Sequence, residues 1–179
     1  MINIRNASSA DLEAISRLHI ESAQQTFAHI LPQNYLFEKM PTELRLSWQE
    51  RLVNPSRSEQ HLVLVAETAS REICGLLAVG FDDKDPWGAF IHTLHVDATQ
   101  HRRGIARRLL IKAVAQFPNS YTEKGVHLLV YEQNLNARAV YERLGGVVKE
   151  RMGRSAYSDL PIYSLRYVWS SLSAFRWQA

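Results

Sequence analysis

A chain of 179 residues with 46% apolar and 22% charged side chains has the makeup of one globular domain, long enough to bury a substantial core. No apolar run nears the ~20 residues that span a bilayer, the opening Met1-Ile2-Asn3-Ile4-Arg5 lacks a secretory layout, and the lone Cys74 has nothing to pair with. Membrane insertion and a disulfide framework are set aside, no metal is expected, and a cytoplasmic setting follows. The net charge of +3 is small, and no nucleic-acid recognition motif accompanies it, so a nucleic-acid partner is not expected either.

Ile2 to Asn6 reads as a first strand. Ser8-Ser9-Ala10-Asp11 opens a helix, with Leu12, Ile15 and Leu18 at helical spacing. A second helical stretch follows Pro32, and a third surrounds Thr42 to Leu52. His61 to Ala66 and Ile73 to Phe81 are apolar, β-branched runs across a polar turn, the pattern of a hairpin. Asp82-Asp83-Lys84-Asp85-Pro86 is a turn and Ala89 to Val96 the next strand. Arg103 to Phe117 reads as a helix closed by Pro118, and Val126 to Tyr131 as a strand. Asn136 to Leu144 is a helix stopped by Gly145-Gly146. Val147 to Glu150 and Ile162 to Trp169 give two final strands. The order implies an α/β (α+β) fold, a mixed sheet with helices on its faces, over residues 1–170 with a tail at 171–179.

Two segments carry chemistry. In the first, an apolar strand ends in Leu94-His95-Val96 and a short turn leads to His101-Arg102-Arg103-Gly104-Ile105-Ala106-Arg107 at a helix start. Such a start offers unpaired N–H groups and the positive end of the helix dipole. Gly104 and Ala106 leave room for a phosphate to approach, and Arg102, Arg103 and Arg107 add charge. A basic helix start with small residues for packing fits the same spacing. The second segment is Asn134-Leu135-Asn136-Ala137, followed by Val140-Tyr141 and Leu144-Gly145. Ala137, Val140, Tyr141 and Leu144 share a helical face, and Asn134 stands where it caps that helix or faces a ligand's amides. A tyrosine on such a face is also ordinary core.

Together, His-Arg-Arg-Gly-Ile-Ala and, about thirty residues on, Asn-x-x-Ala-x-x-x-Tyr-x-x-x-Gly resemble the GCN5-related N-acetyltransferase family. The resemblance implies a central mixed, mostly antiparallel twisted sheet of about seven strands with helices on both faces. It implies an acyltransferase that moves the acetyl group of acetyl-CoA onto a primary amine. Leu94, His95 and Val96 would then present backbone groups to the pantetheine and the thioester carbonyl. His101, Arg102, Arg103, Gly104, Ile105, Ala106 and Arg107 would hold the pyrophosphate. Asn134 and Ala137 would lie along the arm, and Tyr141 near the sulfur. The strands 89–96 and 126–131 would splay to admit the arm. Three positions depart from the pattern: His101 replaces a glutamine or arginine, Gly146 replaces an aromatic residue, and Leu129 stands where some peptide-acetylating members carry a glutamate.

An amine of pKa near ~10 must shed a proton before it attacks, and a departing thiolate gains from a nearby acid. Tyr141 is the candidate acid. His92 is the candidate base, through a water, because strict alternation puts it on one face with Phe90 and, absent a bulge, Leu94, with His95 turned the other way. An acceptor pocket is expected from Phe27, Tyr35, Phe37, Trp48, Trp87 and Tyr157, with Glu38, Glu43, Asp82, Asp83 and Asp85 available to a cationic amine. The acceptor, a small molecule such as a polyamine or amino acid, or a peptide, stays open, as does a homodimer. A catalytically silent acyl-CoA-binding regulator is the alternative.

Overall fold

The computed structural model describes residues 2–54, 61–154 and 162–176. Seven strands form one sheet: β1 (Asn3–Asn6), β2 (His61–Glu67), β3 (Ile73–Gly80), β4 (Ala89–Val96), β5 (Val126–Tyr131), β6 (Val147–Arg154) and β7 (Ile162–Trp169). Their order across the sheet is β1-β2-β3-β4-β5-β7-β6. Every neighbouring pair is antiparallel except β4 and β5, which run parallel. A parallel neighbour needs a crossover, and helix α3 (Ile105–Val114) supplies it. The other helices are α1 (Leu12–Phe27), α2 (Met40–Val53) and α4 (Leu135–Arg143).

Alternation along β2 and β3 sorts side chains to two cores. Val63, Val65, Leu76 and Ala78 pack against Ile15, Leu18 and Trp48 of α1 and α2. Leu64, Leu77 and Val79 face the other way and join Ile105, Leu109 and Ala113 of α3. The helix α4 lies on this second side through Ala137, Val140 and Tyr141.

Several boundaries differ from the sequence expectation. A π-helical turn at Tyr35–Lys39 runs directly into α2, so the two helical stretches after Pro32 are continuous. The helix expected from Arg103 begins at Ile105, because Arg102 (φ 61°) and Gly104 (φ 71°) are left-handed and cannot extend an α-helix backwards. Strand β6 continues to Arg154 because β7 offers it partners as far as Ile162. Residues 171–176 dock on the core: Phe175 is buried and stacks on Trp169, and Arg176 N–H donates to the Leu144 carbonyl.

Parallel pairing of β4 and β5 is pinned at one end only. Ala89 N–H donates to the Gly125 carbonyl at 2.9 Å. A Cβ on Gly88 (φ 91°) would stand 1.9 Å from that same oxygen, so only glycine brings the two chains this close. Pairing extends over Ala89–Val126, Phe90–His127 and Ile91–Leu128 and there stops.

The first strand is tied to α1 by a charged knot. Arg5 donates to both carboxylate oxygens of Asp11 at 2.8 and 2.9 Å, and Asp11 also accepts from Ser8 N–H at 2.8 Å. The Arg5 hydrogen bond, together with those from Ser8, holds the Asp11 carboxyl at about 2. A depressed carboxylate stabilises the fold above its unfolded pKa and loses that contribution as pH falls through its folded one. Arg5 is over a third exposed, so solvent screens the pair, and Asp11→Asn should cost of order 1 kcal/mol at pH 7. That gap between wild type and variant should close between about pH 4 and pH 2 in pH-resolved denaturant titrations.

Candidate active site

The ladder between β3 and β4 slips at one place. Ala78 pairs with Thr93 and Val79 with Ile91, which leaves His92 without a partner on β3. One extra residue in a strand reverses the alternation beyond it. Phe90 and His92 face α1 and α2, and after the bulge so do Thr93 and His95, while Leu94 turns to the α3 core. The unbulged expectation for Leu94 and His95 is therefore reversed.

The bulge sits where β4 leaves β5, so Thr93–Val96 and Leu129–Tyr131 edge an open gap. Asp97 N–H donates to the Cys74 carbonyl of β3. Alternation then turns the backbone groups of Val96 and Leu94 toward the gap and those of His95 into the β3 ladder. His95 offers the gap its ring instead. The Val96 carbonyl already accepts from His101 Nε2 at 2.9 Å, so His101 reaches back to the strand.

At the mouth of the gap, α3 starts without a side-chain cap. Arg102 and Gly104 are both left-handed, a backbone pattern of the kind that builds anion-binding concavities. A Cβ at Gly104 would meet nothing within 4 Å, so the space in front is open. Ile105 is buried against Gly75 and offers only its backbone, while Ala106 is half-buried. Arg102, Arg103 and Arg107 are exposed around this helix start, with Arg103 bonded to Gln100. These features fit a bound pyrophosphate.

On the far side of the gap, Asn134 caps α4: its side-chain oxygen accepts from Ala137 N–H at 3.2 Å. Tyr141 packs on Tyr167 and Trp169, with ring centres 5.8 and 6.2 Å away. Burial pushes its phenol up to about 12, so it stays protonated at neutral pH. Gly146 has no room for the aromatic residue usual in the resembled family, since a Cβ would stand 2.8 Å from Trp169; that indole fills the place.

His92 lies over Gly80 and packs edge-on against Phe90, with its outer edge exposed. Desolvation first, then the charge of Arg51, lowers its pKa from the usual imidazole range. His95 is half-buried beside α1, and burial pushes it down to about 4. Its ring centre is 4.6 Å from that of His19, and its Nδ1 is 2.8 Å from Ser22 Oγ. Trp48 Nε1–H donates to His19 Nδ1 at 3.1 Å. His19 also sits well below its usual value, through burial and then the charges of His95 and Arg51. The sequence reading missed His19 and Ser22, although their spacing of three on one helix was visible.

Another histidine anchors the closed end. His127 is 2% exposed and stacks on Phe90. Arg166 Nη1 donates to its Nδ1 at 2.6 Å, so Nε2–H donates to Asp85 at 3.0 Å, and Arg166 Nε donates to Glu150. This network was not read from the sequence.

The expected acceptor pocket is dispersed. Trp48 is wholly buried, Phe37 is exposed, Trp87 lies under Arg166, and Tyr35 donates to Glu43. Of the expected residues that are described, Phe27 alone reaches the gap, against His95 and Tyr131. Glu38 stands on the π-helical turn in front of α2. Asp82 turns back on Lys84, Asp83 pairs with Lys124 and Asp85 holds His127. Tyr157 lies outside the described residues. Cys74 is buried and donates to the Ala66 carbonyl, and burial pushes its thiol up, so it is no nucleophile.

An open strand pair beside an anion-binding helix start is what acyl-CoA-dependent transferases of one superfamily share, and sequence comparison agrees. A profile of the acetyltransferase (GNAT) family matches residues 20–146, and the chain belongs to that family. The N-acetyltransferase YuaI of Bacillus subtilis is 24% identical over 136 residues, 75% of this chain and 74% of YuaI. The PaiA N-acetyltransferase of Thermoplasma acidophilum, solved with coenzyme A, superposes with a TM-score of 0.75 at 20% identity, covering 93% of this chain and 98% of its own. Arabidopsis thaliana NAA60, solved with a bisubstrate analogue, gives 0.68 at 19% identity over 94% and 97%.

The paired rings of His19 and His95 make a spectroscopic prediction. Neutral when folded, His19 and His95 should hold constant imidazole NMR shifts from pH 8 to pH 5. The unfolded chain protonates near pH 6.5, so the stability these rings contribute should be full above that value and erode as pH falls toward 4. A midpoint near 6.5 for either ring would show that the site is wet.

Proposed function

We propose that the protein transfers the acetyl group of acetyl-CoA to a primary amine, of a small molecule or a peptide, by direct attack through a tetrahedral intermediate. The observation that carries this reading is the strand pair pinned at Gly88 and Gly125 and open beyond Ile91, beside an uncapped helix start. The cosubstrate supplies a thioester-activated acetyl group. Backbone N–H groups of Ile105, Ala106 and Arg107 hold its pyrophosphate, with Gly104 clearing the approach and His101, Arg102 and Arg103 around it. Leu94 and Val96 offer backbone groups along the pantetheine, with Asn134 and Ala137 opposite. Among the described residues no protein group bonds the Tyr141 hydroxyl, and its raised pKa keeps the proton available for the leaving sulfur. His92, neutral and open to solvent at the bulge, takes the first proton of the arriving ammonium through a water and leaves the amine free to attack. No metal enters this scheme, and the described residues contain no cluster of metal-binding side chains. Among them no helix is long and apolar enough to cross a membrane; a cytoplasmic setting belongs to the proposal.

Acetyl-CoA should raise the melting temperature of the wild type, since a ligand selective for the native state stabilises it. Gly104→Glu places a carboxylate in the anion seat and should abolish that shift while the variant keeps its fold by circular dichroism. A variant that binds like wild type would move the phosphate site elsewhere.

Free-thiol release across a panel of amines separates an enzyme from a silent acyl-CoA-binding regulator. With an active acceptor, Tyr141→Phe should lower kcat by about 10²–10⁴ with cofactor affinity nearly unchanged. Unchanged turnover where chemistry limits the rate would return Tyr141 to the core.

A further inference from the structure

The bulge at His92 changes which histidine stands over the reacting centre. The thioester carbonyl is placed by backbone groups of Leu94 and Val96, and the side chain between them on the α1 and α2 face is His95. His92 is back along β4 by three residues, roughly 10 Å at strand rise. Of the splayed residues on that face, Thr93 and His95 come from β4, and Leu129 and Tyr131 from β5. His95 is the imidazole among them.

Its surroundings orient it as a base. Ser22 on α1 stands 2.8 Å from Nδ1, and when that nitrogen donates to the hydroxyl, Nε2 keeps its lone pair. The titratable or charged groups facing this pocket are His19 on α1 and, one layer out, Arg51 on α2, which lies over the Trp48 ring. Trp48 occupies Nδ1 of His19 as a donor, so a neutral His19 carries its proton on Nε2. Phe27 closes the side between His95 and Tyr131. Burial disfavours a resting charge on His95, which leaves its ring neutral when the amine arrives.

We propose that His95, oriented by Ser22, is the group that takes the proton from the attacking nitrogen, and that His92 serves as the outlet to solvent. This rests on the acetyltransferase reading above. The ammonium first gives one proton to solvent by way of His92; the freed amine nitrogen then bonds to the thioester carbon, and its second proton passes to Nε2 of His95. The carbon–sulfur bond breaks and the sulfur receives a proton from Tyr141. The proton on His95 returns to the tyrosine oxygen through water, so the products are the amide and the free thiol. His92, beside a hollow of about 210 Å³ lined by His61, Asp82, Asp85 and Phe90, opens to water at the other end of the bulge.

The test uses the full chain, acetyl-CoA and the best acceptor from the thiol-release panel. His95→Gln should lower kcat at pH 7 by about 10²–10⁴, with an unchanged melting shift on acetyl-CoA and partial recovery as pH rises and free amine accumulates. His95→Ala should regain activity on adding imidazole, in proportion to its neutral form, which a packing residue would not do. Ser22→Ala should lose about five-fold in kcat, the size of one hydrogen bond, with KM little changed. Wild-type kcat in His95→Gln, or no imidazole rescue of a folded His95→Ala, overturns the proposal. An inactive wild type that still binds acetyl-CoA overturns the transferase reading instead, so the two failures are separable.

Discussion

Everything that distinguishes this sheet depends on how two parallel strands meet and part. At one end β4 and β5 are drawn together by backbone so close that Gly88 has no room for a side chain. Three residues later the pairing is over, at the place where His92 is squeezed out of the β3 ladder. Beyond the bulge β4 stays paired with β3 but not with β5, and the separation leaves backbone groups along the gap without a partner strand. Such groups are costly unless something bonds them. On the proposed reading an extended, amide-bearing guest pairs with them, and an anion meets the uncapped start of α3 at the same mouth.

The bulge also decides the chemistry of the opposite face. By reversing the alternation it puts His95 beside α1, where His19, Ser22 and Trp48 receive it. Burial there keeps both imidazoles neutral. The phenol on α4 is driven the other way by the same burial and stays an acid. One physical cause, desolvation of ionisable groups around a narrow gap, sets acid and base apart.

The closed end is held by a separate device. Asp85, His127, Arg166 and Glu150 form a chain of hydrogen bonds across the loop at 82–88 and strands β5, β7 and β6, roofed by Phe90. Arg166 fixes the tautomer of His127, which in turn fixes Asp85. The acidic loop that looks from its sequence like a lure for cations is thus largely spent on structure.

Periodicity and turn residues alone located most elements, because alternation and helical spacing are local properties of the chain. The paired motifs at His101–Ala106 and Asn134–Gly145 likewise pointed to the family and to the two helix starts beside the gap, since both are local backbone features. Gly104 was visible for the same reason. What the chain order did not contain was the extra residue in β4. Nothing local marks His92 as the bulged position; the slip exists only against the register of β3. It alone decides whether Leu94 or His95 faces the gap. Nor did the sequence reveal that Trp48 and Asp85 serve the core and a buried network rather than a pocket, because those partners lie 29 and 42 residues away. Local pattern determined the elements and the uncapped helix start; long-range register and packing determined which side chains meet beside the strand gap.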